Sequence, residues 1–123
     1  MRPGPAIVAS CLLIQVACRG DAYRAAAEAT GGNPERGSDA IRRYGCDTCH
    51  TIPGIRGPVT HVGPPLTAVG LRTYLAGQLL NSPENMQNWI RHPRAIEPHT
   101  AMPETGVTPV DARDIAAYLY TLR

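Results

Sequence analysis

An all-α domain with long connecting loops is what this sequence predicts, on three observations. Apolar residues recur with helical period in three separate places, and no run alternates with the period of a strand. Each of these stretches opens on a capping residue followed by proline: Asn33-Pro34, Ser82-Pro83 and Thr108-Pro109. Between them Pro and Gly, 12 of each in 123 residues, mark out long irregular segments.

Taken in order, residues 1–17 read as an export leader. Arg2 supplies a short positive start, and Ala6 to Ala17 is an apolar run broken only by Ser10 and Gln15. That run is too short to span a bilayer but suits the apolar core of a leader. Val16-Ala17-Cys18 resembles a bacterial lipobox, which would make Cys18 the lipidated first mature residue, although Gln15 stands where leucine is usual. Val8-Ala9-Ser10-Cys11 fits that pattern better but leaves too short a leader, and ordinary cleavage near Gly20 competes. Cys11 reads as an apolar leader residue rather than a disulfide partner of Cys18. Residues 18–33 read as a flexible tether, with Ala22 to Thr30 transiently helical and Gly31-Gly32 ending it.

The domain proper is expected over residues 34–123. Gly37, Ile41 and Tyr44 share one face of its first helix, at i, i+4 and i+7. Residues 51 to 70 are loop, dense in Pro and Gly, and an irregular stretch this long in a small domain suggests that it wraps something. The helix opening at Ser82 carries Met86, Trp89 and Ile90 on one face, and His92-Pro93 ends it. A loop from Arg94 to Pro103 leads to the last helix, whose stripe is Ile115, Tyr118, Leu119 and Leu122. This helix is expected to cross the first one at Gly37, where the missing side chain permits close approach.

Cys46-Asp47-Thr48-Cys49-His50 is the stretch that carries chemistry. Two thiols spaced by two residues and followed at once by an imidazole form the C-x-x-C-H pattern of covalent heme attachment. On one helical turn the thiols can each become a thioether to a vinyl group, while the histidine points at the iron. A redox dithiol would call for a thioredoxin-like βαβ pattern, and a zinc knuckle for a second ligand pair; neither is present in the sequence. Composition agrees, because Phe is absent and aromatics make up only 5% of the chain. Such a chain builds a sufficient core more readily around a large flat apolar cofactor than alone.

Two further residues follow from that assignment. The Pro64 carbonyl is placed to accept from the second nitrogen of His50, fixing the ring and raising its basicity, with an ordinary proline turn as the alternative. For the distal iron ligand, Met102 lies in a Pro-flanked loop that can bring a thioether across the ring, whereas Met86 sits on an apolar helix face. His61, His92 and His99 would instead give a bis-imidazole iron at lower potential, and His99 is the serious competitor. The formal charge of +2 is too small to imply a nucleic-acid partner, and no basic block or interleaved aromatics support one, so none is expected.

With these pieces in view, residues 33–123 resemble the class I (mono-heme) cytochromes c. The resemblance rests on the C-x-x-C-H stretch, Gly63-Pro64-Pro65-Leu66 with Arg72 beyond it, Trp89-Ile90-Arg91-His92-Pro93, Pro98 to Pro103, and Ile115 to Leu119. The run from Ala76 through Asn85 to Ile90 is most similar to the cytochrome c domains fused to subunit II of heme–copper oxidases. The resemblance implies a cytochrome c fold, with N- and C-terminal helices crossing and Pro/Gly loops wrapped around one covalent heme c. It implies Cys46 and Cys49 as thioether anchors, His50 and Met102 as axial ligands, and Pro64 orienting His50. Arg72 and Tyr74 would reach a heme propionate, and Trp89 and Thr100 would line the ring. Gly37 stands one residue further from the heme motif than in mitochondrial relatives. All 12 basic residues are Arg, so a lysine docking ring cannot be carried over.

The function so implied is an exported, non-enzymatic electron carrier in the periplasm or on the periplasmic face of a bacterial inner membrane. Its partners would be redox proteins met transiently: an oxidase, a cytochrome bc-type complex or a dehydrogenase. The alternatives are a cytochrome subunit or electron acceptor of a periplasmic dehydrogenase and, against a closed iron and a single heme motif, a heme peroxidase.

Overall fold

Polar caps start three of the helices through the bonds that helix ends require. The first N–H groups of a helix have no partner within it, so a side-chain oxygen just ahead satisfies one of them. Asn33 accepts from the Arg36 N–H at 2.8 Å, Ser82 from Asn85 at 3.1 Å and Thr108 from Asp111 at 3.1 Å. The computed structural model describes the backbone from Pro5 to Arg123 and side chains from Cys18 onward. The helices are α1 (Pro5–Thr30), α2 (Pro34–Arg43), α3 (Pro83–Arg91), a single turn α4 (Pro93–Ile96) and α5 (Pro109–Tyr120). Tight 3-10 turns occupy Cys46–Thr48 and Val69–Leu71. The fold is all-α.

The packing is organised by α2 crossing α5, with α3 also laid on α5. Small residues let the two backbones meet: Ala40, Ala112 and Ala116 are fully buried. A Cβ on Gly37 would overlap the Asp114 carbonyl and lie 3.0 Å from the Tyr118 Cβ, so the crossing falls where the glycine was expected to permit it. Around it Ile41, Ile115 and Leu119 form the apolar core with Met86 and Ile90 of α3. Tyr44 closes the far end of α2 by donating its hydroxyl to Asp111 at 2.7 Å.

Two features depart from the sequence reading. A two-residue antiparallel ladder, β1 (Tyr74–Leu75) with β2 (Leu79–Leu80), stands where no strand was expected. It is too short to leave an alternating pattern, and it turns through Ala76 and Gly77, both at positive φ. Second, residues 18–33 are not a loose tether. The chain is helical to Thr30, and Ala26 (3% exposed) and Thr30 (6%) are buried as α1 packs on α5. Gly32 lies against the Arg113 backbone too closely for a side chain, and Asn33 donates its N–H to Asp114 at 2.7 Å. Arg36 completes the clamp with Nε 2.7 Å from the same buried carboxylate. An alanine-rich segment reads as marginal when its partner surface is left out, and α5 provides that surface. The leader read over residues 1–17 lies outside the residues whose side chains are described.

Candidate functional site

Gly45, at φ +70, turns the chain out of α2 into the single turn Cys46–Thr48. Within that turn the N–H groups of Cys49 and His50 both donate to the Cys46 carbonyl, at 3.3 and 3.0 Å. Two thiols and an imidazole are thus presented from one short rigid piece. Cys46 and Cys49 are free thiols. Burial pushes the Cys46 thiol up to about 11, with the Asp47 carboxylate adding to the shift.

The loop that follows folds back onto the motif. Gly63 donates its N–H to the Cys49 carbonyl at 2.8 Å, and Leu66 donates to Thr51 at 2.9 Å. This brings the Pro64 carbonyl 2.7 Å from Nδ1 of His50. A carbonyl can only accept, so Nδ1 carries the proton and Nε2 keeps its lone pair, the tautomer a metal ligand requires. The loop lies so close that a Cβ on Gly63 would stand 2.5 to 2.9 Å from three atoms of the ring. Glycine at this position is therefore a steric condition of the geometry.

The His50 ring faces a cavity of about 530 Å³, within the usual size of small-molecule sites. Cys46, Cys49, His50 and Pro64 contribute to one part of its lining. Arg72, Trp89, Thr100 and Met102, far along the chain, line the same space. Much of the rest is apolar, including Ile52, Leu66, Val69 and Leu75. Arg72 is held by its Nη2, which donates to the Pro65 and Thr67 carbonyls at 2.5 and 3.2 Å. The Met102 N–H donates to the Thr100 hydroxyl at 3.2 Å, fixing the methionine loop.

The competitors for the iron separate by position. Met86 also borders the cavity, but it is only 2% exposed and is wedged in the core beneath. Among the described residues His50 is the histidine that lines the cavity, while His61, His92 and His99 do not. Tyr74, expected near a propionate, does not reach the cavity and is 53% exposed. Strand alternation is the reason: on β1 Leu75 points inward and Tyr74 must point out. One residue that the sequence reading passed over is brought in, Glu97 at the end of α4.

These residues fit a covalent heme. The donor set offers two reduced thiols on one turn, an imidazole with a bare Nε2, and a thioether in a largely apolar wall. A zinc knuckle fits less well, since no group of three or more His, Cys, Asp or Glu among the described residues could hold a metal ion.

A family model described as Cytochrome c matches residues 34–123. Cytochrome c oxidase subunit 2 of Alkalihalophilus pseudofirmus is 29% identical over 117 residues, covering 88% of this chain and 33% of that protein. The chain thus spans about a third of the length of that curated relative.

Proposed function

The chain belongs to the cytochrome c family, and from that premise we propose that it carries single electrons through one heme c, anchored by Cys46 and Cys49 and ligated by His50 and Met102. Family membership makes heme-based electron transfer its activity; the ligand set, location and partners are the proposal. The observation that carries it is one cavity lined at once by the C-x-x-C-H motif and by Met102. When bound, the heme supplies an iron that gains and loses one electron. The chain's residues govern how that happens. Pro64 holds the imidazole in one tautomer and one orientation, so little has to move as charge changes. A sulfur donor from Met102 would favour the reduced state, and the apolar lining would disfavour the extra positive charge of the oxidised one. His50 and Met102, were both to hold the iron, would leave oxygen and peroxide no open site.

Val59 and Val62 are strongly exposed on the loop beside the motif, and Val62 also borders the cavity. A small apolar surface of this kind suits brief contact with a redox partner. The likeness to an oxidase subunit favours a respiratory partner such as a terminal oxidase. The leader pattern favours export, and Cys18, exposed on α1, is available for lipid.

The test is an absorption spectrum of protein made in cells with heme-attachment machinery. The carrier should show sharp reduced bands and a weak far-red band of sulfur-ligated ferric iron. Rapid binding of carbon monoxide or peroxide by the untreated protein would instead favour an enzyme.

A further inference from the structure

Glu97 is, among the described residues, the one carboxylate lining the cofactor cavity. Its place is built. The end of α4 delivers it there, with its own N–H donating to Pro93 at 2.8 Å and its carbonyl accepting from Thr100 at 3.1 Å. One side-chain oxygen accepts from the His99 N–H at 3.0 Å, and the other from Nε2 of Gln78, on the hairpin turn, at 3.2 Å. Both donors are neutral. No ion pair among the described residues includes Glu97. The ionisable groups that share the cavity wall are Arg72, His50, Tyr44 and the two thiols, and Arg72 is engaged with backbone carbonyls. On neighbouring segments Arg94, His99 and Glu104 are exposed, and Arg91 of α3 is half-buried. A half-buried carboxylate without a counter-charge is thus held against the space that the heme would fill.

We propose that Glu97 lowers the reduction potential of this site. The assignment rests on the heme reading above and deepens it. A fixed negative charge on the half-buried wall of the cavity stabilises the more positive, oxidised state and so lowers the potential.

Redox titration of the heme-loaded protein at neutral pH tests this. Glu97→Gln keeps the shape and the acceptor for His99 but removes the charge. The variant should have a higher midpoint, equivalent to about a tenfold shift toward the reduced form. Glu104→Gln, which removes an exposed carboxylate from the same loop, should follow wild type. Coincident curves for wild type and Glu97→Gln would overturn the assignment, as would an equal shift from Glu104→Gln. A colourless wild type would contradict the heme reading and this role with it, whereas coloured proteins with coincident curves overturn the role of Glu97 alone.

Discussion

Met102 and Met86 carry the same thioether, and their settings divide their roles. Met102 sits half-buried in a loop held by Thr100, while Met86 is packed in the core under α5. Met102→Ala should abolish the far-red band and lower the midpoint potential with little loss of stability. Met86→Ala should keep the band and lose about 2–5 kcal/mol of stability, seen as a lower denaturant midpoint. Gly63 is the second point at this scale. Gly63→Ala drives a methyl group into the His50 ring, so the loop or the imidazole must shift. The far-red band should weaken or move while the heme stays covalently attached; an unchanged spectrum would mean that the contact at His50 is soft. The site was legible at this scale wherever chemistry depends on neighbours in the chain. Cys46, Cys49 and His50 share one turn, so spacing sets their geometry, whereas Pro64 reaches His50 only through the loop that Gly63 ties to Cys49 and is read with the help of the family resemblance. Glu97 could not be read, because it reaches the cavity through contacts with Gln78 and the end of α4. Tyr74 lies outside the cavity wall, and a two-residue strand leaves no pattern in the sequence to show which side chain points inward.

At the level of elements, the α2–α5 crossing and the junction at Asp111 can each be tested. Gly37→Ala places a Cβ on the Asp114 backbone, which cannot swing aside. The expected cost is about 1–3 kcal/mol or more, measured by denaturant unfolding. Gly20→Ala on α1 meets nothing within 4 Å and should be neutral or stabilising. Asp111 accepts from the Tyr44 and Thr108 hydroxyls at 2.7 and 2.8 Å and pairs with Arg43 at 2.8 Å. Tyr44 first, then Thr108 and Arg43, hold its carboxyl below the usual aspartate range. A depressed folded-state value contributes stability that is present above the unfolded value and is lost as pH falls through the folded one. Wild type should therefore lose stability on acidification below about pH 4, and Asp111→Asn should remove that part of the loss. The caps at Asn33, Ser82 and Thr108 were legible because a cap is a local bond. The docking of residues 18–30 was not, because Ala26 and Thr30 are buried only once α5 is in place.

For the whole molecule, the cavity decides how the chain holds together. An apolar group filling the largely apolar cavity of about 530 Å³ would cover its lining and add to the stability of the domain. Protein made without heme attachment should keep far-UV helical signal but lose the near-UV signal around Trp89 and unfold over a broad range. Sharp unfolding equal to that of the loaded protein would argue that the domain does not depend on the group. α1 adds an orientation to this picture. It is clamped through Gly32, Asn33 and the Asp114–Arg36 pair, which fixes Cys18 on a helix packed against α5. The most direct test of the central claim is the intact mass of the exported, fully denatured chain. One heme per chain should remain bound under denaturing conditions and be lost when Cys46 and Cys49 are both changed to Ser. A denatured chain at its bare polypeptide mass, or one that releases zinc instead of retaining heme, would contradict the account.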